Sequence, residues 1–338
     1  MTQRIDQPLS GEFRKDETFE RIIESLNESL FQGQQNLLQD KGHLFPTLHI
    51  LGAPRSGTTL VSQILASHLP IGYINNLIAA FWKAPIYGVE LSKGLLGGGY
   101  KSSFHSNFGR TDDIREPHEF GYFWNHHLRY GSLQQLSESH ESTIDWKQLA
   151  LVLNNMTYHF NAPIAFKSFL FGFHAAKAVE WIPKTCFVYI KRDFIDNALS
   201  ILKLRQTLNG DEAEWGSIKP IQYGHLKTLS VHEQIAGQIL CMEHEYLKQL
   251  DKIPDHNKLC YYYEDLCKDP AHFLRKIGKK LEHHNSNILV KSTGEIKPFT
   301  AKVVERDKEV ESVVEKFNAA RERIKELFPN LREWNGNK

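Results

Sequence analysis

A short run of small and cationic residues, PRSGTT from Pro54 to Thr59, has the composition of an anion-binding loop. Small residues let the backbone approach a ligand closely and direct its N–H groups outward, and Arg55 adds a permanent charge with a fixed fork of donors. Charge-assisted hydrogen bonds of this kind contribute roughly 1.5 to 3 kcal/mol each. This run therefore predicts a binding site for a phosphate group.

The same loop differs from the nucleoside-triphosphate loop G-x-x-x-x-G-K-[ST] at one decisive position. Gly52 and Gly57 have the spacing of its two glycines, but Thr58 stands where the lysine should be. Because the group that would reach a γ-phosphate is missing, we expect the loop to hold a shorter phosphate chain. A glycine-rich turn without a ligand is the alternative interpretation.

Two further cations follow apolar runs that are typical of buried strands. Lys167 ends the segment APIAFK, and Arg192 comes just after CFVYI, the run from Cys186 to Ile190. Ligands of open α/β sheets lie beyond the carboxyl ends of strands, so both cations are placed to reach an anion. Ser200 lies about two helical turns after Arg192 and can face the same crevice. For Lys167, a solvated strand-end lysine is an equally good interpretation.

Three proton carriers cluster in the sequence REPHEF: Glu116, His118 and Glu119. A glutamate or histidine beside an anion site is a reasonable general base. Acidic residues in a first helical turn are also common as caps, and Pro117 could be the first residue of a helix. Both interpretations remain open. The later pair His126 and His127 is interpreted as surface or packing residues.

The elements that must position these residues are predicted by hydrophobic periodicity. Leu48, Ile50 and Leu51 form a strand-like run, and apolar residues recur at helical spacing from Leu60 to Leu65. The same strand-to-helix transition follows Ile190. Such repeated junctions predict an α/β protein with a parallel sheet. An amphipathic helix is predicted from Phe19 to Leu38, and an irregular segment at 69 to 110.

Composition excludes several classes of protein. The chain has 338 residues, with 41 basic and 40 acidic side chains and a net charge of +1, which argues against nucleic acid as a partner. The four cysteines are scattered, as in a reducing compartment. No run of 18 apolar residues occurs, so no integral membrane segment is expected. We expect a cytoplasmic protein.

Taken together, the motifs resemble those of the sulfotransferases that use 3'-phosphoadenosine 5'-phosphosulfate (PAPS), in particular the bacterial type. PRSGTT with VSQIL after it is similar to that family's 5'-phosphosulfate loop, and Arg192 with Ser200 is similar to its 3'-phosphate site. LCYYYEDLCKDP, from Leu259, resembles a late strand and turn of the family. The resemblance covers roughly residues 47 to 280.

The resemblance implies a three-layer α/β/α fold of the P-loop nucleotide-binding type and a reaction that needs no metal. Residues 16–330 would form one sulfotransferase-like domain after a polar tail at 1–15, with substrate loops at about 69–140 and 206–232. Lys167 matches the lysine of an intervening strand. The residues implied to bind the donor are Arg55, Ser56, Gly57, Thr58 and Thr59 at the 5' end and Arg192 and Ser200 at the 3'-phosphate.

The position of the general base departs from the family pattern. Phe169 stands where cytosolic members have a histidine, and the segment 73–82 has no carboxylate where other members have a glutamate. The candidates for catalysis are therefore Glu119, His118 and Glu116, with Lys167. The implied reaction is sulfuryl transfer from PAPS to a hydroxyl or amine of a small-molecule, lipid or carbohydrate acceptor.

Two other functions remain open at this stage. One is a P-loop kinase or a module that binds ATP or GTP, in which Asp193 would help to hold magnesium. The other is a nucleotide sensor that has lost catalysis. The sequence does not indicate the oligomeric state.

Overall fold

A computed structural model of the protein describes residues 16–97, 100–105, 111, 113–131, 137, 140–285, 290–304 and 307–336. The predicted polar tail, 1–15, lies outside these residues. Within them, five strands form one sheet in the order β2-β3-β1-β4-β5, and every pairing is parallel. The strands are β1 Thr47–Leu51, β2 Gly72–Tyr73, β3 Ile164–Lys167, β4 Thr185–Lys191 and β5 Lys258–Tyr262.

Helices precede, connect and follow these strands. They are α1 Glu17–Leu37, α2 Thr58–His68, α3 Asn76–Ala79, α4 Pro85–Leu96, α5 Gly121–His127, α6 Trp146–Phe160, α7 Phe169–Gly172, α8 Ala175–Trp181, α9 Phe194–Asn209, α10 Tyr223–Leu226, α11 Val231–Leu250, α12 Tyr263–Lys268, α13 Pro270–His284 and α14 Lys308–Leu327. Short 3-10 turns lie at His140–Thr143 and Asp255–Asn257.

The central strand β1 is buried on both faces, and three of its five residues are apolar. Leu48 and Ile50 pack on one face in a cluster with residues of α2 and α13. Leu51 points to the other face, where its cluster includes residues of α6, α7 and α11. The predicted three-layer α/β/α architecture is confirmed.

The order of the strands creates the crevice. From β1 the chain passes to β2 and β3 on one side, and β4 and β5 then lie on the other side of β1. Ile50 is in register with Lys167, and Leu51 with Tyr189, so the carboxyl ends of β1, β3 and β4 meet. Ligands of such sheets bind where the strand order reverses. The three predicted cationic sites all lie at this edge.

The prediction that residues 69 to 110 are irregular is wrong over much of the segment, because α3 and α4 lie there. Helix α4 begins with Pro85 in its first turn and buries Ile86 and Val89 on one face. The glycines at 94 and 97–99 favour an irregular segment in the sequence. The apolar residues of α4 are not confined to one face, so they give no clear helical repeat. Helix α9 ends at Asn209, within the predicted substrate loop at 206–232.

Helix α1 forms where the periodicity predicts it, but its buried positions are polar. Asn27 donates to the carbonyl oxygen of Ala80 at 2.7 Å, and Gln34 donates to that of Lys83 at 3.0 Å. These amides bind the turn before α4, while Phe19 and Ile22 are exposed. In the described part of the chain, every helix is too short or too polar to cross a bilayer.

Candidate active site

The loop between β1 and α2 is held in an unusual backbone conformation. Arg55 has φ 67° and Gly57 has φ 96°, both in the left-handed region. The amide of Asn197 donates to the carbonyl oxygen of Pro54 at 2.5 Å, and Arg192 Nη1 donates to that of Arg55 at 3.0 Å. Asn197 lies on α9 and Arg192 follows β4, so the segment that carries Arg192 also fixes the loop.

Gly57 leaves no room for a side chain. A Cβ atom there would lie 2.3 Å from Cδ2 of Tyr263, and its φ is one that L residues rarely adopt. We expect Gly57→Ala to lower the free energy of unfolding by about 2 kcal/mol and to weaken phosphate binding by displacing the loop. Gly224→Ala is the matched control, since nothing lies within 4 Å of a Cβ there. Equal melting temperatures for the two variants would contradict this account of the loop.

The loop presents several donors that have no acceptor among the described residues. Ser56 is buried, and its Oγ has no hydrogen-bond partner among the described residues. Gly57 is the N-cap of α2 and has no side chain to cap it, so the first N–H groups of the helix lack intrahelical acceptors. A hydroxyl and several N–H groups at a helix N-terminus match the oxygens of a phosphate.

Arg192 is buried at the edge of this loop, only 8% exposed. Its Nη atoms donate to the carbonyl oxygens of Arg55 and Lys302, and its guanidinium carbon lies 5.1 Å from the ring centroid of Tyr263. Nε is buried without a partner among the described residues, and no carboxylate there pairs with this side chain. Burying a charge without a counter-charge costs several kcal/mol. An anionic ligand would supply the missing counter-charge.

Arg55 brings the two predicted phosphate sites together. Its Nε donates to Oγ of Ser200 on α9 at 3.2 Å. Burial and the adjacent Arg192 lower the pKa of Arg55, while Glu119 and Tyr263 oppose that shift. Two guanidinium groups thus lie within one short span of the crevice. Their mutual repulsion is relieved if an anion lies between them.

Lys167 lies between the loop and a carboxylate. Its Nζ donates to Oγ1 of Thr59 at 2.8 Å and forms a short ion pair with Glu119. The lysine side chain is 5% exposed and the glutamate 46%. Partial burial acts to raise the pKa of Glu119, but Lys167, His118 and Arg55 outweigh it and lower the pKa below the usual glutamate value. Glu119 is therefore ionised at neutral pH.

The three predicted proton carriers have different environments. Glu116 is buried and accepts hydrogen bonds from Gln63, Ser102 and Ser103. Burial acts to raise the pKa of Glu116, but these hydrogen bonds outweigh it and lower the pKa. His118 is exposed, and its Nδ1 accepts the N–H of Phe120 at 2.8 Å. Of the three, the structure brings Glu119 to Lys167.

Pro117 does not begin a helix. It forms an isolated antiparallel bridge with Asn75, and the helix begins at Gly121, after Phe120 at φ 57°. The N–H of His118 donates to the carbonyl oxygen of Ile74 at 2.8 Å, which fixes the extended turn. Tertiary hydrogen bonds therefore override the local helix signal, and Glu119 lies in an irregular segment just before α5.

Three residues at the site were not predicted from the sequence. Tyr263 packs against Gly57 and Arg192, Asn197 holds the loop, and the carbonyl of Lys302 accepts from Arg192. Tyr263 lies in the quoted YYYED run, and Asn197 lies on the first turn after Arg192, so both had a local signal. Lys302 had none, because its segment returns to the site from far along the chain.

The aspartate that a kinase would need is engaged in another role. Asp193 caps α9, because its Oδ1 accepts the N–H of Asp196 at 3.0 Å. The preceding Lys191 donates to Glu243 and to the carbonyl oxygen of Trp334. Of the three consecutive residues Lys191, Arg192 and Asp193, Arg192 is therefore the one whose side chain binds the loop after β1.

Comparison with solved structures gives similarities to bacterial sulfotransferases. One from Mycobacterium avium is 13% identical, with a TM-score of 0.46, over 94% of this chain and 79% of that chain. One from Mycobacterium tuberculosis is 12% identical, with a TM-score of 0.46, over 92% and 82%. One from Alicyclobacillus acidocaldarius is 17% identical, with a TM-score of 0.39, over 86% and 97%.

Among curated protein sequences, none matches this chain. A family model described as "Sulfotransferase family" matches residues 46–284, most of the chain. The matched span includes the loop after β1, Glu119, Lys167 and Arg192, which the fold brings to one edge of the sheet. The chain belongs to the sulfotransferase family.

Proposed function

We propose that this protein transfers a sulfuryl group from PAPS to the hydroxyl or amine of a small-molecule, lipid or carbohydrate acceptor. Membership of the family makes it a sulfotransferase in general terms. The observation that carries the choice of donor is Arg192, a buried guanidinium with an unpartnered Nε beside an anion-binding loop. A donor with phosphates at both its 3' and 5' positions satisfies both groups at once.

The hydrogen-bond donors of the site fall into two groups, which suit opposite ends of one nucleotide. Ser56 Oγ and the N–H groups from Gly57 to Thr59 suit the 5'-phosphosulfate, as the anion at a helix N-terminus. Arg192 and Ser200 suit the 3'-phosphate. Arg55 reaches Ser200 from the loop, so in this proposal it lies between the two phosphates.

The proposed reaction is an in-line displacement at sulfur. An acceptor oxygen or nitrogen forms a bond to sulfur, the bond from sulfur to the 5'-phosphate oxygen breaks, and the electron pair leaves with adenosine 3',5'-bisphosphate. The acceptor's proton passes to Oε of Glu119. Charge develops on the departing phosphate oxygen, where Arg55, Lys167 and the loop N–H groups stabilise it.

Lys167 has two roles to reconcile in this scheme. In the ligand-free arrangement its ammonium pairs with Glu119, which weakens that carboxylate as a base. A general base works best when its pKa lies near the working pH. We propose that donor binding draws Lys167 toward the sulfuryl group, which raises the basicity of Glu119 as the reaction begins. In this proposal Glu116 has a structural role, because its hydrogen bonds with Gln63, Ser102 and Ser103 fix the segment that carries Glu119.

A kinase and a silent sensor remain the alternatives to this proposal. The kinase is less well supported because Thr58 replaces the loop lysine and Asp193 caps a helix. The presence of a carboxylate, Glu119, beside the donor loop supports a catalyst over a sensor. We further propose that residues 16–330 act as one domain and that the protein works in the cytoplasm, where its four free cysteines would stay reduced.

Parallel titrations separate these possibilities. We expect adenosine 3',5'-bisphosphate to bind at least tenfold more tightly than ATP with magnesium, because the loop lacks the γ-phosphate lysine. Isothermal calorimetry measures both affinities, and an acceptor panel with labelled PAPS measures transfer. Tighter binding of ATP with magnesium would refute the proposed donor. Tight bisphosphate binding without transfer to any acceptor would favour the sensor.

A further inference from the structure

A cavity with a volume of about 380 Å³ lies at the C-terminal end of helix α5. Its polar lining residues are Gln35, His126, His127, Arg129, Asp145 and Gln148. We call it the α5 cavity. Pockets that bind small molecules generally measure roughly 300 to 1,000 Å³, so its size suits a small ring compound.

The α5 cavity is separate from the sulfuryl-donor site. Glu119 precedes α5, whereas His127 is its last residue. A helix rises about 1.5 Å per residue, so these two positions are separated by on the order of 10 Å. None of the residues assigned to the donor lines the cavity. A molecule bound there would therefore contact none of the residues assigned to the donor.

Two polar side chains of the cavity have a nitrogen without a hydrogen-bond partner among the described residues. His127 is 9% exposed, its ring lies against the rings of Phe123 and His126, and the described part of the chain shows no hydrogen bond to it. Gln148 Nε2 donates to Oε1 of Gln35 at 2.9 Å, but Nε2 of Gln35 is buried without an acceptor among the described residues. Buried polar groups are normally hydrogen-bonded. Their partner is expected inside the cavity.

The charges of the lining residues indicate the charge of the molecule that the cavity would bind. Burial, with Lys83 and Arg129 nearby, lowers the pKa of His126 to about 4, and burial also lowers that of His127. Both imidazoles are therefore neutral at neutral pH. Arg129 balances the charge of Asp145, and Lys83 pairs with Glu28, so the lining has no net charge that favours an ion. No three His, Cys, Asp or Glu side chains are grouped to hold a metal in the described residues.

Neutral imidazoles and carboxamides each offer both a donor and an acceptor. Hydroxyl groups do the same, and Phe31 supplies an apolar wall for the carbon face of a ring. We propose that the α5 cavity binds a neutral polyhydroxylated molecule of about the size of a monosaccharide or cyclitol, at a site distinct from that of the sulfuryl donor. This inference does not depend on the proposed reaction.

The test is NMR of the histidine ring nitrogens in the full chain, titrated with glucose and with myo-inositol. We expect saturable shifts of His126 and His127 with a dissociation constant on the order of 1 mM, unchanged by saturating adenosine 3',5'-bisphosphate. Shifts with neither polyol would overturn the proposal. Shifts with sodium sulfate or zinc chloride alone would overturn it too, since the cavity would then bind anions or metal.

A matched pair of variants locates the binding. Gln148→Leu removes an amide from the lining and should weaken polyol binding at least tenfold. Gln249→Leu makes the same change at a half-buried glutamine on α11 and should leave affinity unchanged. If Gln148→Leu unfolds, Gln35→Met replaces it, with the same expected result. Equal affinity in the folded cavity variant and the control would place the polyol elsewhere and overturn the proposal.

Discussion

Glu119→Gln should lower kcat for sulfuryl transfer by about 100- to 10,000-fold, the usual contribution of a general base. Glutamine keeps the shape of the side chain but cannot accept the acceptor's proton. Its amide also cannot pair with Lys167 as the carboxylate does. Binding of adenosine 3',5'-bisphosphate should change by less than about threefold, because Glu119 is assigned to the acceptor rather than to the nucleotide.

The measurement is steady-state transfer from labelled PAPS to the best acceptor of the panel. Glu141→Gln is a matched control, since Glu141 is 39% exposed and pairs with a basic residue, His174, outside the site. It should retain wild-type kcat. A Glu119→Gln variant within about tenfold of wild type would refute the assignment. Larger losses in Glu116→Gln or His118→Gln would transfer it to that residue.

Arg192→Ala should weaken binding of adenosine 3',5'-bisphosphate at least tenfold, or about 1.4 kcal/mol. The variant removes the donors proposed to meet the 3'-phosphate, and charge-assisted hydrogen bonds contribute roughly 1.5 to 3 kcal/mol each. It also frees the carbonyl oxygen of Arg55, so part of the loss comes from the loop. Arg55→Ala should also weaken binding of the bisphosphate at least tenfold, because Arg55 reaches Ser200 from the loop.

Calorimetric titration measures these affinities. Arg192→Lys should fall between wild type and Arg192→Ala, because lysine keeps the charge and loses the planar fork. Arg321→Ala is the control: Arg321 stacks on Phe194 at 4.8 Å, outside the assigned site, and its loss should leave affinity unchanged. Wild-type affinity in both Arg55→Ala and Arg192→Ala would rule out both assignments.

The parts of the fold that depend on local pattern could be predicted from the sequence. The strand-loop-helix at Thr47–His68 has an apolar run, small residues and a helical repeat in immediate succession, and the structure forms it in that order. Strand β4 and the cation after it are equally local. The sheet order brings them together, and the sequence alone does not specify that order.

Other features could not be predicted because they depend on distant contacts. Pro117 has the local signal of a helix start, but its bridge with Asn75 keeps it extended. The carbonyl of Lys302 reaches Arg192 from beyond α13. The sequence indicates surface or packing roles for His126 and His127, whereas the packing of α1 and α6 near them creates a cavity.

The choice among the three proton carriers likewise needed the fold. In the sequence Glu116 and Glu119 are equivalent candidates. In the structure Gln63, Ser102 and Ser103 occupy the carboxylate of Glu116, whereas Glu119 meets Lys167 at the end of β3. The neighbours that separate the two glutamates come from α2, a loop and a strand, none of which is close in sequence.

One calorimetric cycle tests the central claim, that Arg192 recognises the 3'-phosphate of a nucleotide whose 5' end lies in the loop. Adenosine 3',5'-bisphosphate and adenosine 5'-monophosphate are titrated into wild type and Arg192→Ala. We predict that wild type prefers the bisphosphate by at least tenfold and that the variant shows almost no preference. An undiminished preference in Arg192→Ala, or none in wild type, would contradict the account.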